Sequence, residues 1–343
     1  MKAVNIILMG FGNVGQAFLR IAHEKKEFCA IRYGLDIRFY SVFELGGAVH
    51  SSQGLNTSEI VEKYSSLPML RKNPLWKPGL ELVSILESIK PGVLVECTPS
   101  DIKSGGPGLS YIRQALDKGW NVVTASKGPL VIDFRGLHEK AEKKHVALKF
   151  SGATAAALPA LDVALYSLAG AEISRIEGIL NGTTNYILTR MKEGVDYKDA
   201  LKEAQSKGIA ETDPSLDVSG LDTASKILII SNALMKTDFT LNDMTVEGID
   251  AIPPHLLTQA RKKDRALKLL GILLKRAEEL RLEVRLTVID SSHPLFGVDG
   301  TNKGIVFTTD TMDCVTVTGG KSDPRGAGAA LLKDIINIYR KEF

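Results

Sequence analysis

VNIILMGFGNVGQAFLRIAHEKK, residues 4–26, decides the fold. Val4, Ile6, Ile7 and Leu8 read as a short buried strand, and the residues after Gly15 read as a helix. Between them Gly10, Gly12 and Gly15 stand in G-x-G-x-x-G spacing, in the strand–turn–helix context that the motif requires. Each glycine has its own task. The first permits a tight turn, the second lets a pyrophosphate approach the backbone, and the third lets the helix lie close to the strand. The helix N-terminus then faces the anion. Gly10, Phe11, Gly12, Asn13, Val14 and Gly15 are the candidate phosphate-binding loop of a dinucleotide fold.

The segments that follow extend this reading. DIRFYSVFELGG (36–47) alternates as a second strand and ends at Glu44, where an acidic residue bonds the adenosine ribose hydroxyls and repels a 2′-phosphate. No Arg or Lys lies between Arg38 and Lys63, which favours NAD, with NADP as the other option. Residues 51–90 are polar and proline-punctuated, as in an elaborated crossover. PGVLVECTPS (91–100), WNVVTASKGPL (120–130) and HVALKF (145–150) supply three more strands, separated by helical segments such as GLSYIRQALDKG (108–119). Strands alternating with helices predict an α/β fold, a Rossmann-type doubly wound parallel sheet. Ligands of such sheets sit at the carboxyl ends of the strands, so Thr98, Pro99, Ser126 and Lys127 join the cofactor-binding candidates.

Length and composition set the frame. A chain of 343 residues can hold two ordinary domains, and 43 basic against 40 acidic residues leave a net charge of +3. No Lys/Arg stripe interleaved with aromatics is present, which argues against nucleic acid. No apolar run reaches the roughly 20 residues that span a bilayer, and the start lacks a cleavage pattern for secretion. Cys29, Cys97 and Cys314 are scattered and odd in number, which fits a reducing cytoplasm better than a disulfide framework. The expected boundaries are 1–150 for the dinucleotide domain, 151–318 for an α+β substrate and dimerisation domain, and 319–343 for a segment and helix returning to the first domain.

In the second half, SGATAAALPALDVALYSLAG (151–170) reads as a packed loop and helix. ISRIEGILNGTTNYIL (173–188) reads as a strand, a polar turn at Asn181–Asn185 and a helix, while DYKDALKEAQSKG (196–208) is an amphipathic helix ending at Gly208. ETDPSLDVSGLDTASKILII (211–230) sets Lys226 into an apolar run behind four carboxylates. Ser219 or Asp217 is the expected cap of a helix over about 220–234. Asp222 and Lys226 then share a face at i,i+4, either as a wet surface pair or as a buried pair suited to proton transfer. EVRLTVIDSSHPLFGVDGTNKGIVFTTDTMDCVTVTGG (283–320) reads as strands of a second sheet. His293 lacks a second histidine nearby and reads as structural. GAGAALLKDIINIYRKEF (326–343) closes the sequence as an amphipathic helix.

Taken together, GFGNVG (10–15), VVTASKGPL (122–130), IEGILNGTTNYIL (176–188), EAQSKGIAETDPSLDVSGLDTASK (203–226) and HPLFGVDGTNKGIVF (293–307) resemble homoserine dehydrogenase over nearly the whole chain. The resemblance implies NAD(P)-linked interconversion of L-homoserine and L-aspartate 4-semialdehyde by a homodimer. Carried over by position, Lys226 and Lys127 match the lysines of proton transfer and of the nicotinamide end. Glu211 and Asp222 match the carboxylates that hold the substrate amine and orient the lysine, with Asp217, Thr183 and Gly182 as further substrate contacts. Gly319 opens the segment near the cofactor, where GGKSDPRGAG (319–328) departs from the family and offers Lys321 and Arg325 to phosphate. Ser151 replaces the glutamate of a monovalent-cation site whose other ligands, backbone carbonyls, match Thr154, Ala156 and Leu158. Ile209 replaces a tyrosine. The resemblance is to a short form without a regulatory domain or a fused aspartate kinase, so threonine is not expected to inhibit through such a domain. Two other readings share the fold: a dehydrogenase of another small amino or hydroxy acid, and a non-catalytic dinucleotide sensor.

Overall fold

The structure is a computed structural model that describes residues 1–64, 66–260, 262–277, 279–320 and 323–340. The chain divides into two compact units, Met1–Ala156 with Asp323–Phe343, and Ala157–Ser322. Among the described residues no helix is long and apolar enough to cross a membrane.

The first unit is built on a seven-stranded sheet: β1 (Lys2–Met9), β2 (Leu35–Glu44), β3 (Gly47–His50), β4 (Trp76–Pro78), β5 (Val93–Glu96), β6 (Asn121–Thr124) and β7 (Leu148–Lys149), in the order β4-β3-β2-β1-β5-β6-β7. The five strands from β2 through β7 in that order run parallel, and β1, between β2 and β5, is the middle strand of the whole sheet. The parallel reading needs one amendment. β3 and β4 are antiparallel additions, β3 just before and β4 within the polar stretch 51–90. Only Leu45 and Gly46 separate β2 from β3, too few residues for the crossover that a parallel neighbour demands.

Val4, Ile6 and Leu8 share one face of β1 and meet Phe18 and Leu19 of the helix Asn13–Glu24 and Leu331, Leu332 and Ile335 of the helix Pro324–Tyr339 in one buried core. Each such aliphatic side chain contributes about 1.5–3 kcal/mol on burial. The two helices lie backbone to backbone, because a β-carbon on Gly328 would stand 2.8 Å from the Phe18 nitrogen. Leu94 points the other way from Val93 and Val95 and is buried where the helix Gly106–Asp117 packs on β5 and β6.

The second unit holds a six-stranded sheet: β8 (Ile173–Ile179), β9 (Thr245–Val246), β10 (Arg265–Arg276), β11 (Glu279–Asp290), β12 (Lys303–Thr309) and β13 (Cys314–Gly319), in the order β13-β12-β8-β10-β11-β9. All neighbours are antiparallel except β9 beside β11. The helix Leu221–Met235 lies on β10, and Gly271 lets it approach: a β-carbon there would be 3.0 Å from Ile227 Cβ. Neither Ser219 nor Asp217 caps this helix, contrary to the sequence expectation. Gly220 does, in the left-handed region at φ 81°, with a β-carbon position only 2.2 Å from the Glu247 carbonyl oxygen. The Asp217 carboxylate is turned instead toward Asn181.

Candidate active site

In the first unit the carboxyl ends of β1, β2 and β5 open onto a cleft of about 1110 Å³, lined by Gly10, Gly12, Asn13, Val14, Glu44, Thr98 and Pro99 among others. Gly10 has φ +91°, and a β-carbon on it would be 2.7 Å from the Cys97 carbonyl oxygen, so the turn admits glycine only. A β-carbon on Gly15 would fall 2.1 Å from the Gly10 carbonyl oxygen, whereas one on Gly12 meets no protein atom within 4 Å. Gly15 is thus the packing glycine and Gly12 the open one. That division matches the cradle a dinucleotide needs. Phe11 is buried in the core, and its backbone N–H donates to Glu44 Oε2 at 2.7 Å, so Glu44 also pins the loop. The charged residues lining the cleft are Glu44, Glu81 and Asp101, and no lysine or arginine stands among the described lining residues. Arg71, close behind the β2–β3 turn, donates to the Leu45 carbonyl at 2.9 Å.

A group that the sequence reading missed lies under the ends of β5 and β6. Glu96 is fully buried and accepts hydrogen bonds from the Thr98 backbone N–H and from the hydroxyls of Thr98, Thr124 and Ser126. Burial pushes its carboxyl above the usual range, against the pull of those donors. It ties together two of the strand-end residues, Thr98 and Ser126. A carboxylate closing an otherwise apolar strand, VLVE, was the available signal. Next to Ser126, the Lys127 and Gly128 N–H groups both donate to Ser100 Oγ, at 2.6 and 3.0 Å, which sets Lys127 at the head of the short helix Gly128–Ile132.

In the second unit the first turns of two helices converge. Lys226 is only 15% exposed and Asp222 11%, and Lys226 Nζ donates to Asp222 Oδ2 at 2.5 Å and to the Leu180 carbonyl at 2.9 Å. The ammonium is therefore not a wet surface group. Asn181 is the hub. Its Oδ1 accepts from the Thr184 N–H and so caps the helix Gly182–Lys192, which turns its Nδ2 onto Asp217 at 2.7 Å and Asp222 at 2.8 Å. The stretch expected as a polar turn is thus a helix start: Gly182, Thr183, Thr184 and Asn185 are all buried in its first turn. Thr183 Oγ1 donates to the Ile209 carbonyl at 3.1 Å. Burial, and then the charge of Asp222, hold the Asp217 carboxyl above its usual range.

A second buried lysine sharpens the contrast. Lys268, 1% exposed, donates to Asn185 Oδ1, the Val298 carbonyl and Asp299 Oδ1, at 3.2, 2.5 and 2.8 Å. An ammonium has three protons, so Lys268 is saturated while Lys226 keeps one unassigned by these bonds. His293 is structural, 3.6 Å from Glu177, which it and Arg175 hold at a pKa of about 2 against the opposing effect of burial.

The remaining expected site residues lie elsewhere. Glu211 is exposed on the loop after residue 206, outside the Asn181 network, and its carbonyl accepts from Gln205. Gly319 ends β13 opposite Lys303. Lys321 lies outside the described residues, and Arg325 is paired with Glu24 at 2.8 Å rather than held free for phosphate. Ser151 is buried against Asp334 and Lys333 of the C-terminal helix.

The family model for homoserine dehydrogenase matches residues 159–336. A homoserine dehydrogenase of Methanocaldococcus jannaschii is 36% identical over 337 residues, 98% of each chain. An NAD(+)-dependent homoserine dehydrogenase of Pseudomonas canavaninivorans is 29% identical over 99% of this chain and 97% of its own. Among solved structures, a hyperthermophilic archaeal homoserine dehydrogenase in complex with NADPH matches with a TM-score of 0.83 at 25% identity, over 98% of each chain. Similarity of this extent, covering nearly the whole chain, places it in the homoserine dehydrogenase family.

Proposed function

We propose that the protein interconverts L-homoserine and L-aspartate 4-semialdehyde, with Lys226 as the proton carrier and NAD as the preferred cofactor. The observation that carries the reading is the shielded ammonium of Lys226, bonded to Asp222 and to one carbonyl. The bound nicotinamide supplies or takes the hydride. Towards homoserine, the third Lys226 proton goes to the oxygen of the reduced aldehyde; towards the aldehyde, Lys226 in its amine form removes the hydroxyl proton. Asp222 holds the lysine in place, and Asn181 holds Asp222. Asp217, Thr183 and Gly182 receive the amino acid, with Glu211 as the exposed loop carboxylate for its amine and Lys127 at the nicotinamide end. On this reading residues 1–150 hold the dinucleotide, residues 151–318 hold the substrate and form a homodimer, residues 319–343 return to the first domain with Gly319 near the cofactor, and the enzyme works in the cytoplasm.

NAD is preferred because a 2′-phosphate entering the cleft would meet Glu44 with no lysine or arginine among the lining residues to offset its charge. Initial rates with L-homoserine and either cofactor test both claims. Higher kcat/KM with NAD by about tenfold or more, the equivalent of one charged hydrogen bond, is expected. Turnover of other hydroxy acids without homoserine would overturn the substrate assignment.

Asp217 gives a second outcome with opposite signs for stability and activity. Its folded pKa is raised, so the folded state binds its proton more tightly than the unfolded state. Stability therefore falls as pH rises from the ordinary carboxyl value through the raised one, and the loss is fully present above it. Asp217→Asn keeps an acceptor for Asn181 and removes that loss. The variant should melt above the wild type at neutral pH and lose the advantage below the ordinary carboxyl value, while KM for homoserine rises about 10–100-fold. Thermal melts across pH together with steady-state kinetics check both halves.

A further inference from the structure

The loop that follows β7 is organised around Ser151. Its carbonyl oxygen collects three donors: the Thr154 N–H at 3.3 Å, the Thr154 hydroxyl at 3.1 Å and the Ala156 N–H at 3.0 Å. Ser151 is itself fixed from the other side by the C-terminal helix. Its N–H donates to Asp334 Oδ2 at 2.9 Å and its hydroxyl to Asp334 Oδ1 at 2.8 Å. Asp334 is 1% exposed, and a carboxylate so deeply buried needs a counter-charge. Lys333 provides it: its Nζ lies 3.1 Å from Asp334 Oδ1 and 2.8 Å from Ser151 Oγ. Burial pushes the Asp334 carboxyl upward, and the positive charge of Lys333 is the largest influence against that push.

The family resemblance implies a monovalent cation at this loop, bound by a glutamate where Ser151 stands and by backbone carbonyls that include those of Thr154 and Ala156. The residues present do not fit one. The acidic ligand has become a hydroxyl, and an ammonium already sits within hydrogen-bond distance of that hydroxyl. A metal ion arriving beside it would meet a like charge at close range. The neighbouring carboxylate is committed to Ser151 and Lys333 through both of its oxygens.

We propose that Lys333 replaces the monovalent cation with a covalently tethered ammonium, so that the 151–156 loop is held by the chain itself and the enzyme needs neither sodium nor potassium. The loop then keeps its shape in any salt of the same ionic strength. The proposal rests on the homoserine dehydrogenase reading only for its activity arm; the stability arm stands without it.

The test compares sodium, potassium and choline chlorides at equal ionic strength, by thermal melting and by initial rate with homoserine and NAD. The wild type should give the same melting temperature and rate in all three. Lys333→Met should melt several degrees lower in choline and regain part of the loss in sodium, potassium or ammonium chloride. A sodium- or potassium-specific gain in the wild type would overturn the proposal, as would a Lys333→Met variant that melts like the wild type or that no monovalent cation rescues. If that variant does not fold, sodium-23 line widths on the wild type decide: no protein-dependent broadening relative to Lys333→Arg is expected, and saturable broadening displaced by potassium contradicts the proposal. A protein inactive with homoserine but insensitive to the cation in melting would separate failure of the functional reading from failure of this one.

Discussion

Changing Lys226 to arginine should lower turnover on homoserine about 10³-fold, within the range attributed to a positioned acid–base group, while NAD binding stays unchanged. Arginine is the informative replacement. It keeps a positive charge beside Asp222, which lies only 11% exposed, but a guanidinium does not give up its proton in proteins. Removing the charge altogether, as in Lys226→Ala, also leaves the Asp222 carboxylate without its cation, and breaking a buried pair costs about 3–5 kcal/mol. A loss of activity in that variant therefore mixes chemistry with stability. If the arginine variant folds normally and still turns over slowly, the missing property is proton transfer. Steady-state rates, melting and titration of NAD by fluorescence distinguish the two causes.

The second large effect concerns the glycine loop. Gly15→Ala would place a β-carbon 2.1 Å from the Gly10 carbonyl oxygen, so the helix must lift away from the loop. Overpacking of this kind costs about 1–3 kcal/mol. The displaced loop should also lose NAD affinity by about 100-fold, the equivalent of two charged hydrogen bonds. Gly12→Ala makes the contrast. Its β-carbon meets no protein atom within 4 Å, and Gly12 already has φ −73°, so stability should hold. The added methyl instead takes the space where backbone and pyrophosphate must approach, and NAD affinity should fall alone. Melting temperature and NAD titration on the two variants separate a glycine needed for packing from one needed for the ligand.

Much of the fold was legible because its signals are local. The run Val4–Leu8, the three glycines and the Asp222/Lys226 spacing are contiguous patterns, and each depends on neighbours within one element. What escaped reading depends on distant partners. Asn181 looked like turn chemistry, yet it caps a helix and holds two carboxylates 36 and 41 residues away. Glu96 binds hydroxyls of Thr124 and Ser126, 28 and 30 residues on. The helix start was read correctly at about 220, but its cap was misassigned because the better capping residues nearby were already engaged: Asp217 with Asn181, and the Ser219 hydroxyl with the Leu216 carbonyl. β10, RALKLLGILLKR, gave no strand signal because residues 266–273 are buried on both faces, which erases the alternation that marks a half-exposed strand. Lys268, buried within that run, shows that a lysine among aliphatic residues is not by itself a sign of catalysis; the number of its protons already engaged is what separates it from Lys226.

Chemical rescue addresses the role of Lys226 most directly. In Lys226→Ala, small primary amines should restore turnover in a saturable way, with rates that follow amine basicity, because a diffusible base replaces the tethered one. Wild-type turnover in that variant without any amine would contradict the assignment, and so would rates indifferent to amines of every basicity in a folded variant that still binds NAD.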